Sequence, residues 1–388
     1  MLVLFLTACD AHNVAPNAQQ TPDTKAESAA SQVDVSELPT GQCCRQTPYP
    51  NPIGISNPEG QCVWNDKVYS FSNAPAKLGV TDANGNSEAL EVPDAEYIYS
   101  VCDAGDTLAL LVGACPPFLA ETVETQTAQA FAEGEYAIYR YDKTGTLMEK
   151  ILLQAVYPDT PYALDSSGTD DYLLFSDCII RVGSDGEQLA RRSSNTDRRL
   201  LQLVCADGAV YVRVEGDVIY QTEKIVRLNA QTLEAEAELP CTAMNIQSMG
   251  KAVDGTLLLS SSEYLLRPDF STGTMTAILH WANNANLSIN NYRSVLETES
   301  GFFAYNSDIE AACFYEKLPD GETLEDPTTI TLFIDNGGTY DAALAAREFQ
   351  KLYPQYRIDI TAVETEEQVE LALTELGVGK GYDIYMLY

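Results

Sequence analysis

The middle of the chain, residues 42–326, repeats short hairpins, and this repeat constrains the fold more than any other feature. One kind of hairpin joins two apolar strands through a short polar turn and occurs at 62–71, 100–112, 203–214, 249–261 and 296–306. A second kind opens its turn with Asp or Asn, followed by Gly or Thr, and occurs at 139–150, 179–189, 225–236, 266–278 and 314–324. Such turns between alternating strands are strong hairpin signals. The second kind recurs at steps of 43, 44, 40 and 51 residues, counted between Asp142, Asp185, Asn229, Asp269 and Asp320.

Four-stranded units at this spacing predict the blades of a β-propeller. Six repeats are clear, and residues 41–60 are expected to help close a seventh blade, so residues 41–326 are predicted to form six to seven blades. Residues 113–135 are expected to be a loop or short helix inserted in the second blade. The repeats resemble those of quinoprotein-like or kelch-like propellers and lack the dipeptide typical of WD repeats. A β-sandwich is the alternative, and the regular period argues against it.

Residues 327–388 change to alternating strands and helices. Strands are predicted at 329–334, 357–363 and 382–387. The first helix has its apolar residues at three- and four-residue spacing and stops at Pro354. The second begins with a capping box of Thr365 and Gln368 and ends at Gly377, with a stripe of Val369, Ala372, Leu373 and Leu376. This order predicts a parallel sheet with helices on its faces.

The same segment resembles the start of the extracellular solute-binding proteins of ABC importers, particularly the carbohydrate-binding kind. The resemblance rests on TITLFIDNGG at 329–338, AAREFQKLYPQYRIDI at 345–360 and GYDIYML at 381–387. It implies a small-molecule solute such as a sugar, an ABC permease as partner, and a ligand cleft lined by Asn336, Gly337, Gly338, Thr339 and Tyr340. Since a cleft needs a second lobe, 327–388 is expected to be an incomplete solute-binding domain. An unrelated small α/β appendage is the alternative.

The N-terminus predicts export and a lipid anchor. Met1–Phe5 is apolar and leads into Leu6-Thr7-Ala8-Cys9, which resembles a lipobox whose cysteine is acylated, so 1–9 is interpreted as signal peptide and lipobox. Residues 10–40 are polar and should be a flexible tether. We therefore expect a protein held on the extracytoplasmic face through Cys9, since no other segment approaches the ~20 apolar residues of a membrane span. A chance LTAC sequence at a cytosolic start is the alternative.

Charge and cysteine content bound the partners further. The net charge is −34, with 57 acidic and 23 basic residues, which disfavours nucleic acid and anionic lipid headgroups as partners. The ten cysteines include no CxxC pair, so a zinc site has little support. Cys43 and Cys44, with Cys62, are the cysteines that we expect to pair. The cysteines in strand-like sequence are expected to be small buried hydrophobes.

Residues able to support catalysis are few. His12 lies in the predicted tether, and His280, at a predicted strand end, is expected to be structural. No phosphate-binding, dinucleotide-binding or nucleophile-elbow motif occurs, so we expect no enzyme and no cofactor, with a carboxylate-based glycosidase left open. DANGNSEALE at 82–91 spaces oxygen ligands as calcium loops do, but it lacks the required Gly and Glu and is interpreted as a plain turn.

Binding is better supported than catalysis. Trp281 and the amides that follow it up to Tyr292 could form a sugar-facing loop at one end of the propeller, because aromatic faces and amides hold sugars. The alternative places Trp281 in the core of an interblade connection. Two functions remain: a lipoprotein that captures a solute for an ABC importer, or a propeller-based surface interaction or glycan-binding module with no transport role.

Overall fold

The computed structural model describes part of the chain. The described residues are 32–387 except for 40, 50–54, 56–57, 83–84, 114–134, 155–159, 195–197, 218–221, 242–243, 285–291, 307–310, 325–326, 336–338, 354 and 364. The predicted signal peptide, with Cys9, and His12 therefore lie outside them. The insertion predicted at 113–135 lies outside them except for its first and last residues. None of the helices in the described part is long and apolar enough to cross a membrane.

Two N-terminal strands, β1 (Gln32–Asp34) and β2 (Cys44–Tyr49), precede six antiparallel sheets that form the blades of a propeller. The first blade consists of β3 (Gly60–Trp64), β4 (Lys67–Ser72), β5 (Lys77–Thr81) and β6 (Ser87–Leu90). The second consists of β7 (Tyr97–Asp103), β8 (Leu108–Gly113), β9 (Tyr136–Tyr141) and β10 (Leu147–Leu152). The third consists of β11 (Ala163–Ser166), β12 (Asp171–Leu174), β13 (Cys178–Val182) and β14 (Gln188–Ser193).

The last three blades follow the same order. The fourth consists of β15 (Leu200–Ala206), β16 (Ala209–Glu215), β17 (Thr222–Asn229) and β18 (Ala235–Pro240). The fifth consists of β19 (Ile246–Lys251), β20 (Leu257–Ser261), β21 (Tyr264–Asp269) and β22 (Thr274–His280), followed by the single-turn helix α1 (Trp281–Asn284). The sixth contains β23 (Tyr292–Thr298), β24 (Gly301–Asn306) and β25 (Ala311–Lys317).

The sixth blade takes its fourth strand from the other end of the propeller. β2 pairs antiparallel with β25, from Cys44 opposite Lys317 to Tyr49 opposite Ala312. Residues 44–49 therefore complete the sixth blade, and the prediction that 41–60 helps close a seventh is wrong. The hairpin predicted at 314–324 does not form either, because β2 occupies the place of its second strand, and Leu324 makes only a bridge to Gln42.

The predicted tether is also shorter than expected. Gln32–Asp34 pairs in parallel with Thr274–Thr276 of β22 and adds a fifth strand to the fifth blade. Val33 packs beside the core between the fourth and fifth blades. The predicted segment 10–40 is therefore partly structured at its end.

Burial follows the stacking of the blades. The second strand of each blade lies between two neighbouring blades, so it is apolar on both faces: Leu108 to Val112 of β8 are all at most 3% exposed. Outer strands face solvent on one side, as shown by Met148 and Leu152 of β10, which are 63% and 59% exposed. This difference explains why the second strands lack the alternation typical of half-buried strands.

Residues 328–387 form a small parallel sheet, in agreement with the predicted order of strands and helices. Its elements are β26 (Thr328–Asp335), α2 (Thr339–Leu352), β27 (Tyr356–Val363), α3 (Glu366–Gly377) and β28 (Ile384–Met386). The strand order is β27-β26-β28, all parallel. Thr365 caps α3, since its hydroxyl accepts from the Gln368 amide. Of the predicted apolar stripe on α3, Ala372 is buried, whereas Leu373 and Leu376 are 40% and 48% exposed.

Candidate functional site

The six inner strands enclose a central cavity, which is the best-formed candidate site among the described residues. Its volume is about 500 Å³, and every inner strand (β3, β7, β11, β15, β19 and β23) contributes to its wall. This volume lies within the range of ~300–1,000 Å³ found for small-ligand sites. The cavity exists because each blade places its first strand next to the propeller axis, so residues distant in sequence meet there.

Charged residues of three blades meet in this cavity. The Lys251 ammonium, at the end of β19, lies 3.6 Å from an Asp103 carboxylate oxygen at the end of β7. Asp165, on β11, also lines the cavity. Among the described lining residues Lys251 is the only cation, whereas the carboxylates are Glu59, Asp66, Asp103, Asp165, Glu297 and Glu299. The site is therefore anionic around one ammonium group. We name Asp103, Asp165 and Lys251 the channel cluster.

Asp165 is the most perturbed carboxylate of the channel cluster. Its oxygens accept from the Cys205 amide at 2.6 Å and from the Ser166 amide at 2.8 Å. Burial is the main cause that raises the pKa of this carboxyl to about 7; the two amide bonds and Lys251 oppose the rise, and the neighbouring Asp103 charge adds to it. A carboxyl in a cavity with such a pKa is typical of functional sites.

Three thiols surround Asp165 and are inert. Cys62, Cys102 and Cys205 are buried on β3, β7 and β15. Burial raises the pKa of each thiol well above its ordinary value, and the Asp165 charge adds to this. They are neutral at ordinary pH and pack as small apolar groups. No group of His, Cys, Asp or Glu in the described part of the chain is arranged to hold a metal ion.

Aromatic side chains complete the cavity wall. Tyr162, just before β11, is 37% exposed. Trp64 is almost fully buried, and its indole N–H donates to the Gly105 carbonyl at 2.8 Å. Tyr162 is thus the aromatic residue of the wall that a ligand can reach most readily.

Glu297 also lines the cavity, but its charge is neutralised. Its side chain is 5% exposed and accepts from the Lys317 ammonium at 2.6 Å. The Arg267 guanidinium lies at 3.4 Å, and the Val253 amide donates at 3.2 Å. Glu297 therefore joins the fifth and sixth blades rather than offering a free carboxylate.

The structure does not place the sequence-predicted sugar site on the surface. Trp281 is 0% exposed and packs against Tyr315 at 5.5 Å between ring centroids. Its ring has no face open to a sugar. Trp281 therefore occupies a core position, which was the alternative to the sugar-facing loop. His280, at the end of β22, packs against Tyr264 at 5.0 Å. Residues 285–291 of the predicted loop lie outside the described residues.

The residues implied by the solute-binding resemblance are only partly described. Asn336, Gly337 and Gly338 lie outside the described residues, and Thr339 and Tyr340 begin α2. Of residues 82–91, interpreted as a plain turn from the sequence, Ser87–Leu90 form β6, and the Asp82 carboxylate that follows β5 accepts from the Asn86 amide at 2.9 Å.

Sequence reasoning missed the channel cluster. Asp103 and Lys251 each end the first strand of a predicted hairpin, which is the signal that could have placed both near the propeller axis. Asp165 lies in the one inner hairpin that was not predicted, because polar residues interrupt the apolar pattern of β11 and β12.

Comparisons with known proteins add little to this geometry. No protein-family model matches the chain, and no curated protein is similar to it in sequence. Among solved structures, a streptogramin B lyase matches with 16% identity and a TM-score of 0.44, covering 71% of this chain and 88% of that chain. A virginiamycin B lyase from Staphylococcus aureus matches with 12% identity and a TM-score of 0.44, covering 71% and 99%. The WD40 domain of Neurospora crassa Pan2 matches with 7% identity and a TM-score of 0.45, covering 73% and 97%.

These matches carry no information on ligand or reaction, and none supports the solute-binding resemblance. The chain is therefore defined by its own strand pairing as a six-bladed β-propeller followed by a small parallel α/β segment.

Proposed function

We propose that the protein is a binding module whose central cavity takes up a short neutral or amine-bearing sugar. The observation that carries this proposal is a cavity of about 500 Å³ that combines the channel cluster with an accessible Tyr162. Carboxylates and an ammonium group bond sugar hydroxyls, and an aromatic face stacks on a sugar ring. An acidic sugar would meet the surrounding carboxylates and is disfavoured. We expect binding without turnover.

Calorimetric titration with neutral, amino and acidic mono- and disaccharides tests this proposal. Lys251→Ala and Asp103→Asn should each weaken binding of the preferred sugar at least about tenfold, because a hydrogen bond to a charged group contributes about 1.5–3 kcal/mol. The matched control is Lys150→Ala, since Lys150 forms an ion pair of 2.8 Å with Asp94 on the outer edge of the second blade. Binding that is unchanged in both channel variants, equal loss in Lys150→Ala, or preference for acidic sugars would refute the proposal.

A second candidate function rests on the α/β segment. β26 lies between β27 and β28, so the chain crosses to opposite sides of β26, and α2 begins soon after its carboxyl end. Ligands of parallel α/β sheets bind at such a switch point. In this proposal the segment contributes to solute capture with an ABC permease as partner. The same sugar panel separates the two candidate functions. If the α/β segment holds the ligand, Tyr340→Ala should abolish sugar binding and Lys251→Ala should leave it intact.

Both candidates retain the proposal that Cys9 is lipidated and holds the protein on the extracytoplasmic face. Labelling of cells with a radioactive fatty acid should mark the wild type and not Cys9→Ser. Equal labelling of the two would refute the lipid anchor at this position.

A further inference from the structure

Two adjacent cysteines lie where β2 begins. Side chains of neighbouring residues within a strand point to opposite faces. Cys43 lies just before β2 and Cys44 is its first residue, so this rule does not separate the two side chains. The two side chains are hydrogen-bonded to each other. Both are free thiols in the structure, and Cys62, the third cysteine expected to pair, lies in the core between the first and second blades.

Asn284 holds the two cysteines in place. Its side-chain oxygen accepts from the Cys43 and Cys44 amides, both at 2.8 Å, and from the Cys43 thiol at 3.4 Å. Its amide nitrogen donates to the His280 carbonyl at 3.0 Å, so the side chain is itself fixed. The Leu318 amide donates to the Cys43 carbonyl at 3.0 Å. The pair is therefore anchored on both sides of the backbone.

The two thiols differ in exposure and acidity. Cys43 is half-buried, whereas Cys44 is 2% exposed. The Cys44 thiol donates to the Cys43 sulfur and lowers the pKa of Cys43 to about 7. That hydrogen bond, together with burial, raises the pKa of Cys44 far above its usual range. An accessible thiolate with a second thiol behind it is the arrangement that thiol–disulfide exchange requires.

We propose that Cys43 and Cys44 form a thiol–disulfide exchange site that reacts with low-molecular-weight disulfides and closes to a vicinal disulfide. In the first step the Cys43 thiolate attacks one sulfur of the external disulfide, forms a mixed disulfide and expels one thiolate. In the second step Cys44 loses its proton to that thiolate, attacks the Cys43 sulfur and expels the second thiolate, which takes a proton from water. One external disulfide is reduced to two thiols, and the cysteine pair is oxidised by two electrons.

Peptide mapping of the full chain tests this proposal. The reduced protein is treated with glutathione disulfide, its remaining thiols are alkylated, and the tryptic peptide 26–45 is analysed by mass spectrometry, since it holds no other cysteine. The wild-type peptide should lose two hydrogens and carry neither glutathione nor alkyl groups. Cys44→Ser should stop with one glutathione on Cys43, and Cys43→Ser should not react, because Cys44 is buried.

Three outcomes would overturn the proposal. They are two alkylated thiols in the wild type after exposure to glutathione disulfide, a stable glutathione adduct in the wild type, and a disulfide from this peptide to another. The wild-type measurement alone decides between these outcomes and the expected one, so the proposal does not depend on the variants folding. Circular dichroism of both variants shows whether their reactivity can be compared.

Discussion

Asn284→Ala should weaken the closure of the propeller. Asn284 is 2% exposed and belongs to α1, which follows the fifth blade, whereas the two amides it binds lie at the start of β2, the strand that completes the sixth. Alanine keeps the helix but removes the acceptor. The Cys43 and Cys44 amides then lose their partner in a place where water enters poorly.

The size of the effect follows from the two lost bonds. A buried donor left without an acceptor costs about 1–3 kcal/mol, so two donors, one of them at a half-buried residue, should cost about 3 kcal/mol. For a chain of this size, that corresponds to a fall in melting temperature of about 4 °C.

Urea unfolding of the wild type and the variants measures this free energy. The matched control is Asn229→Ala, because the Asn229 side-chain oxygen also accepts from two amides, those of Gln231 at 2.9 Å and Thr232 at 3.0 Å, but in an exposed turn. Water can replace that acceptor, so the control should lose less than about 1 kcal/mol. Equal losses in Asn284→Ala and Asn229→Ala would refute the argument that Asn284 secures the closing strand.

Two further predictions concern buried carboxylates. Asp171→Ala should cost about 3–5 kcal/mol in urea unfolding, because it removes the partner of the Arg140 guanidinium, which bonds both carboxylate oxygens at 2.5 and 2.6 Å; the double variant Arg140→Met/Asp171→Leu should recover most of this loss. A double variant that is no more stable than Asp171→Ala would contradict this argument. Asp165, whose pKa is raised to about 7, is protonated in the folded protein but ionised in the unfolded chain between about pH 4 and pH 7, so the free energy of unfolding should fall as pH rises through this window. Urea titrations at several pH values should show a flatter slope for Asp165→Asn, and an unchanged slope would contradict the raised pKa.

The propeller could be predicted because hairpins are local. A turn such as that at Asp142 fixes the pairing of two strands within a dozen residues, and its recurrence reports the blade. The closing strand could not be predicted in this way, because the pairing of Cys44 with Lys317 joins residues far apart in sequence and no turn specifies it. The alternation of residues 44–49 is compatible with any edge strand.

The candidate site was harder to predict than the fold. Asp103, Asp165 and Lys251 meet only through the arrangement of three blades around one axis, and each looks like an ordinary turn-proximal charge in a sequence with 57 acidic residues. Trp281 was recognised as a candidate from the sequence, but its position could not be predicted. A tryptophan next to a run of amides fits a sugar-binding loop and a core position equally well, and the choice depends on Tyr315, which is distant in sequence.

The closing strand and the cavity are connected through one side chain. Lys317 pairs through its backbone with Cys44, and its ammonium binds Glu297, whose neighbours line the cavity. Glu297 in turn accepts from the Val253 amide of the fifth blade, so the contacts that secure β2 also fix the wall of the site. Because Cys44 opens the strand that completes this blade, and β23 of the same blade lines the cavity, oxidation of the pair and occupation of the cavity act on one packed unit. The propeller therefore has its ring closure, its reactive thiols and its candidate binding site joined at the sixth blade.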